Sequence, residues 1–150
     1  MSATSLPPVA ELSDEELLRQ IFRRDGAAPL STRERLSAFV DWLVKSVGAQ
    51  ACFVADADGL LLVNRDVPET YVIATVSLSH AEQGILAYLP RHTEGTTTME
   101  LDDNSALHIL RADTSLGKLI VGLIVPSPLS RAKCAQLRRL LHAGSAWETV

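Results

Sequence analysis

The chain has 150 residues, enough for one domain that buries roughly 70% of its unfolded surface in a single core. A net charge of −4 gives no electrostatic footprint for nucleic acid or an anionic membrane, and the start lacks a basic region followed by an apolar run. With 47% apolar residues and two cysteines in apolar segments, Cys52 and Cys134, the expectation is a soluble cytoplasmic protein with buried, reduced thiols.

Residues 1–12, with Pro7 and Pro8, read as a disordered lead-in. Ser13 and Glu16 have capping-box spacing and open a short helix over residues 14–24, whose Leu17, Leu18, Ile21 and Phe22 pair at i,i+4. Residues 25–30 form a linker. Ser31 and Glu34 repeat the capping box and start a second helix reaching about Val47. Its Leu36, Phe39, Val40, Leu43, Val44 and Val47 make one apolar stripe, and Gly48 stops it.

Residues 49–55 and 60–64 are apolar runs joined by Asp56-Ala57-Asp58-Gly59, the strongest hairpin signal in the chain. Further on, residues 96–101 and 106–111 flank a turn at residues 102–105. Asp113, Thr114 and Ser115 make another turn, leading into residues 118–125. That nearly unbroken apolar run is expected to be the central strand, covered on both faces. Pro126 ends it, Pro128 sits near the first turn of a last helix, and Gly144 is the expected cap. Residues 143–150 read as a tail.

Between the two strand groups lies the segment 70–89, which holds one formal charge, Glu82, where the chain average predicts about four. A membrane span is disfavoured because His80, Glu82 and Gln83 would sit near its middle. A strand suits residues 71–76, but residues 79–89 are helix formers and Pro90 is a helix stop. At helical spacing, Tyr71, Ala74, Leu78, Ala81, Ile85 and Leu89 make one apolar stripe; Ile73, Val76, His80, Gly84 and Ala87 make another. Thr75, Ser79 and Glu82 form a polar wedge between them. A helix buried on two sides, by its own core and by another helix, is the preferred reading. A helix wrapped by its own domain is the alternative.

The element order is helix, helix, two strands, helix, three strands, helix. Short connections make the fold class α+β, an α/β/α-like sandwich with a five-stranded, mostly antiparallel sheet and an extra N-terminal helix. No catalytic constellation is legible, and no metal or cofactor site is expected. Gly117-Lys118 lacks the rest of a phosphate-binding loop, and His80, His92, His108 and His142 are scattered. Asp56 and Asp58 are turn residues, since later calcium ligands are missing. His108 alternates with Leu107 and Ile109 and is expected on a polar strand face. Arg131, Lys133, Arg138 and Arg139 make the last helix basic, a solvated face or a dock for an acidic partner. Arg65, at the end of the first hairpin, is exposed enough to act as an arginine finger, with nothing else supporting that role.

Residues 48–60, GAQACFVADADGL, resemble the opening strand and Asp-Gly hairpin of the Roadblock/dynein light chain family. The uncharged segment 71–89 resembles its central helix, residues 118–125 its last strand and residues 129–141 its closing helix. The resemblance covers residues 31–142, after a lead-in, helix and linker at 1–30. It implies a homodimer that pairs central helices and joins third strands, placing Ile73, Val76, His80, Gly84, Ala87, Thr96, Thr98 and Glu100 at the seam. It also implies a non-enzymatic platform for a Ras-like small GTPase or a paralogous Roadblock protein, in bacterial cell polarity or motility. A GTPase-activating protein and a small-molecule sensor are the alternatives. Neither nucleic-acid binding nor membrane insertion is implied.

Overall fold

The computed structural model describes residues 12–22, 30–86, 88, 95–101 and 104–145. The expected lead-in, linker and tail therefore fall largely outside the described residues, as do Ala87, Leu89, Pro90, Asp102 and Asp103.

Helix α1, Asp14–Ile21, is capped by Ser13, whose hydroxyl accepts the Glu16 N–H at 3.1 Å. The Glu16 carboxylate accepts from that hydroxyl, so the reciprocal half of the box is not made here. At α2, Thr32–Trp42, the box is complete: the Ser31 hydroxyl accepts from Glu34 N–H and the Glu34 carboxylate accepts from Ser31 N–H. A π-helical turn, Leu43–Val47, extends α2 to Gly48, which adopts φ 85° as the expected stop.

Strands β1, Ala51–Asp56, and β2, Leu61–Arg65, form the predicted hairpin. Asp56 makes the turn: its carboxylate accepts the N–H groups of Asp58 and Leu60, and Gly59 supplies φ 91°. Helix α3, Glu69–Leu86, follows, then β3, Thr96–Glu100, β4, Ala106–Thr114, and β5, Gly117–Val125. Because β4 runs to Thr114, the last turn is at Ser115 and Leu116 rather than 113–115. Helix α4, Arg131–Ser145, closes the fold.

The sheet order is β2-β1-β5-β4-β3, every pair is antiparallel, and β5 is central as its apolar run predicts. Alternation along β5 divides its burial between two layers. Leu119, Val121, Leu123 and Val125 join the main core under α1, α2 and α4, with Leu17, Phe39, Val40, Leu137 and Leu140. Ile120 and Ile124 face α3, alongside Leu107, Ile109 and Phe53. At Gly122 the Phe53 ring lies across the strand; an added Cβ would stand 2.3 Å from its Cε1. Gly122→Ala is expected to destabilise the fold by about 1–3 kcal/mol through overpacking, read by urea unfolding.

Three expectations are corrected. Gly144 is not a cap: α4 continues to Ser145, and Gly144 provides the gap into which the Phe22 ring fits, 2.5 Å from an added Cβ. His108 is 1% exposed and packs under α4, because β4 is covered on both faces and alternation no longer separates wet from dry. The polar wedge of α3 is not its wet edge. Thr75 and Ser79 are fully buried against the sheet, and both apolar stripes flank that contact.

Candidate protein-interaction site

The sheet-facing side of α3 is unusually polar, and each group but one finds a partner. The Thr75 hydroxyl donates to its own Tyr71 carbonyl at 2.6 Å, leaving only methyl and backbone against the sheet. Glu82 lies 3.4 Å from the Arg111 guanidinium and accepts from the Thr97 hydroxyl, while Arg111 also donates to Thr97 at 3.3 Å. Arg111 is clamped through its backbone as well: its N–H donates to Gly95, and its carbonyl accepts from Arg138 Nε at 2.8 Å. The Ser79 hydroxyl is buried without a partner among the described residues.

With its polar side spent on the sheet, α3 turns apolar and small residues outward. Ile73 is 59% and Ile85 61% exposed, and Ala74, Ser77, Ala81 and Gly84 are exposed between them. Among the described residues, nothing lies within 4 Å of a Cβ added at Gly84. On one flank, Tyr71, Ala74, Leu78 and Met99 line an almost wholly apolar groove of about 140 Å³, floored by Leu107 and Ile109. On the other flank the helix leans on the first hairpin: Val76 approaches Gly59, and His80 Nε2 bonds to the Ala57 carbonyl.

The groove leads to β3, an edge strand. β3 pairs with β4 alone, so its other edge is unpaired among the described residues. Thr96, Thr98 and Glu100 stand opposite Leu110, His108 and Ala106, on the α4 side of the sheet. The intervening Thr97 and Met99 therefore face α3. Period-two alternation alone carries that signal, once α3 is known to cover the opposite face.

The predicted residues thus divide. Ile73 and Gly84 lie on the outward ridge, Val76 and His80 lean toward the hairpin, and Thr96, Thr98 and Glu100 lie on the open strand. Ala87 is outside the described residues. Those missed are Tyr71, Leu78 and Met99 in the groove and the Glu82–Arg111–Thr97 cluster beneath the helix.

Thr98 is tied to the core through His108. Leu129 N–H donates to His108 Nε2 at 2.9 Å, so in the neutral ring Nδ1 carries the proton and donates to the Thr98 hydroxyl at 2.8 Å. Cys134 Sγ lies 3.8 Å from the same nitrogen. Burial pushes the His108 pKa below its ordinary value of 6.5. The folded state then binds fewer protons than the unfolded chain, so this stability is present above about pH 6.5 and is lost as pH falls below it. Urea midpoints at pH 5 and pH 7 are expected to differ by less in His108→Gln than in the wild type.

Other polar groups are structural. Arg65 is held by Asp41 at 3.1 Å and Ser37 at 2.9 Å on α2, not poised as a free finger. On α4, Arg139 pairs with Asp14 at 2.8 Å and holds that carboxyl below its ordinary value. Lys133 donates to Gln136 and lies over the Trp42 ring, so α4 is not simply a solvated basic face. Cys52 and Cys134 are buried free thiols, and burial pushes Cys52 up to about 12. No helix among the described residues is long and apolar enough to cross a membrane.

This α/β/α arrangement, with α3 lying over a five-stranded antiparallel sheet, is the Roadblock fold. Solved structures similar to the chain include Myxococcus xanthus MglB, with TM-score 0.57 and 14% identity over 80% of this chain and 89% of that one. The gliding protein MglB from Thermus thermophilus aligns at TM-score 0.56 and 14% identity, over 79% of this chain and 96% of that one. An MglB with a tetrameric arrangement aligns at TM-score 0.58 and 13% identity, over 83% and 92%. At such identities the likeness establishes the fold. No protein-family model and no curated protein matches the sequence.

Proposed function

We propose that this protein is a dimeric regulatory scaffold that binds a Ras-like small GTPase, or a paralogous Roadblock protein, in bacterial cell polarity or motility. The observation that carries the reading is the juxtaposition of two unsatisfied surfaces on one side of a Roadblock fold. One is the outward ridge of α3, where Ile73 and Ile85 are about 60% exposed among small residues. The other is the unpaired edge of β3 beside it. A second copy satisfies both, laying helix against helix and strand against strand.

Within that surface, Ile73, Val76, His80, Gly84, Ala87, Thr96, Thr98 and Glu100 are the proposed contacts, joined by the groove residues Tyr71, Leu78 and Met99. The likeness to MglB proteins, one of them described as a gliding protein, supports the assignment to motility. The chain's role is to bind and present rather than to catalyse. A ligand-sensing role is not favoured by the groove beside α3, because about 140 Å³ is well below the volume of ordinary ligand pockets.

Light scattering on the purified protein tests the dimer: at tens of micromolar the mass is expected to be twice 16.2 kDa, and a strictly monomeric mass contradicts the reading. Adding the dimer to a cognate GTPase separates scaffold from activator. Unchanged GTP turnover on binding is the scaffold result, and accelerated turnover replaces it with GTPase activation.

A further inference from the structure

Away from α3, on the opposite side of the sheet, a groove of about 460 Å³ runs between the start of α2 and the β1–β2 and β4–β5 turns. Leu36 and Leu119 floor it from the main core, and Leu60, Leu61 and Leu116 rim it. Leu60 is 63% exposed, and Leu61 and Leu116 are each 42% exposed. Three neighbouring leucines facing water make a contiguous apolar patch of the kind that marks an interaction site. Leu60 follows the tight Asp56–Gly59 turn and Leu116 is itself in a turn, so the backbone holds both at the rim.

Two charged side chains line the groove, Arg33 and Asp56. The Asp56 carboxylate is committed to the turn, accepting N–H groups from Asp58 at 3.0 Å and Leu60 at 2.9 Å. Arg33 is exposed and makes no hydrogen bond or ion pair among the described residues. The neighbouring acid, Glu34, is occupied by the capping box. Among the described residues, the groove therefore offers aliphatic surface beside a guanidinium with no partner.

We propose that this leucine groove docks an apolar segment bearing acidic residues from a partner protein, with its leucine-like side chains on Leu60, Leu61 and Leu116 and a carboxylate on Arg33. Complementary charge selects the acid: Arg33 presents a fork of donors suited to a carboxylate, and Asp56, the acid in the same groove, is bound to turn N–H groups and makes no ion pair with it. A small amphiphile fits less well: its site should enclose 70–90% of its surface, roughly, whereas this rim stands open. The inference is independent of the α3–β3 surface, which lies on the other face.

Fluorescence anisotropy of the full chain with two labelled synthetic peptides tests it: Glu-Leu-Leu-Glu-Ser-Leu-Leu-Gly, and the same sequence with lysine for glutamate. The acidic peptide is expected to bind saturably and at least about tenfold more tightly than the basic one. Arg33→Glu is expected to reverse that preference, and Leu60→Ser with Leu61→Ser to abolish binding of both, at an unchanged melting temperature. Equal affinity for the two peptides, no saturable binding, or indifference to Arg33→Glu overturns the proposal. So does binding of decanoate in place of the peptide, which assigns the groove to a small amphiphile. A change in light-scattering mass caused by the leucine substitutions also overturns it, assigning the groove to contact between copies.

Discussion

Leu17→Ala is expected to lower the unfolding free energy by about 2–5 kcal/mol, and removal of residues 1–28 to leave a chain that is largely unfolded at room temperature. Helix α1 lies outside the segment that resembles a Roadblock domain, and by sequence it reads equally as an appendage or as core. Its geometry decides between these. Leu17, Leu18, Ile21 and Phe22 are at most 6% exposed and belong to the same cluster as Leu137, Leu140 and Leu141 of α4. The Phe22 ring occupies the space left by Gly144, and Asp14 anchors the other end of α1 to Arg139 and Gln136. Burying four large apolar side chains contributes several kcal/mol, a large share of the 5–15 kcal/mol, roughly, that a domain possesses. Urea unfolding followed by far-ultraviolet circular dichroism checks both variants. Wild-type midpoints in both show that α1 is a recruiting arm on a self-sufficient domain.

The second large effect falls on assembly. Gly84→Arg is expected to raise the dimer dissociation constant by a hundredfold or more, roughly, while leaving the monomer folded. No atom of the described residues lies within 4 Å of a Cβ at this position, so the side chain leaves the fold freely, and replacing a glycine in the last turn of α3 does not weaken the helix. In a paired helix ridge the same guanidinium is a desolvated, unmatched charge. Light scattering and circular dichroism together separate the outcomes: a folded monomer is expected. A folded dimer of wild-type stability shows that the small-residue ridge is not the seam.

Much of the architecture is legible from the chain because the signals are local. The Asp56–Gly59 turn carries its own carboxylate ligand for the backbone, and the apolar run of β5 requires cover on both faces. The capping serines mark where α1 and α2 begin, independent of anything distant. The face of α3 is a different matter. Thr75, Ser79 and Glu82 look like a solvated wedge, yet they meet the sheet; Thr75 bonds within the helix, and Glu82 finds partners far along the chain. Those partners are Thr97, whose hydroxyl donates to its carboxylate, and Arg111, whose guanidinium pairs with it, and no spacing rule links them to Glu82. His108 departs from its expected face for a related reason: α4 covers the side of β4 that alternation assigns to water, and Leu129 supplies the hydrogen bond that makes burial tolerable. The candidate seam is half visible in the sequence. The open ridge of α3 follows from its missing charges, but the groove of Tyr71, Leu78 and Met99 needs the helix seated on the sheet before it exists.

The proposed partner of this protein is a small GTPase. The immobilised 150-residue chain, exposed to an extract of its source cells loaded in parallel with GTP-like and GDP-like nucleotides, tests this. Retention of a Ras-like GTPase that depends on the nucleotide and is lost in Gly84→Arg is expected. Retention of no small GTPase in either state, by protein that is still dimeric, contradicts it.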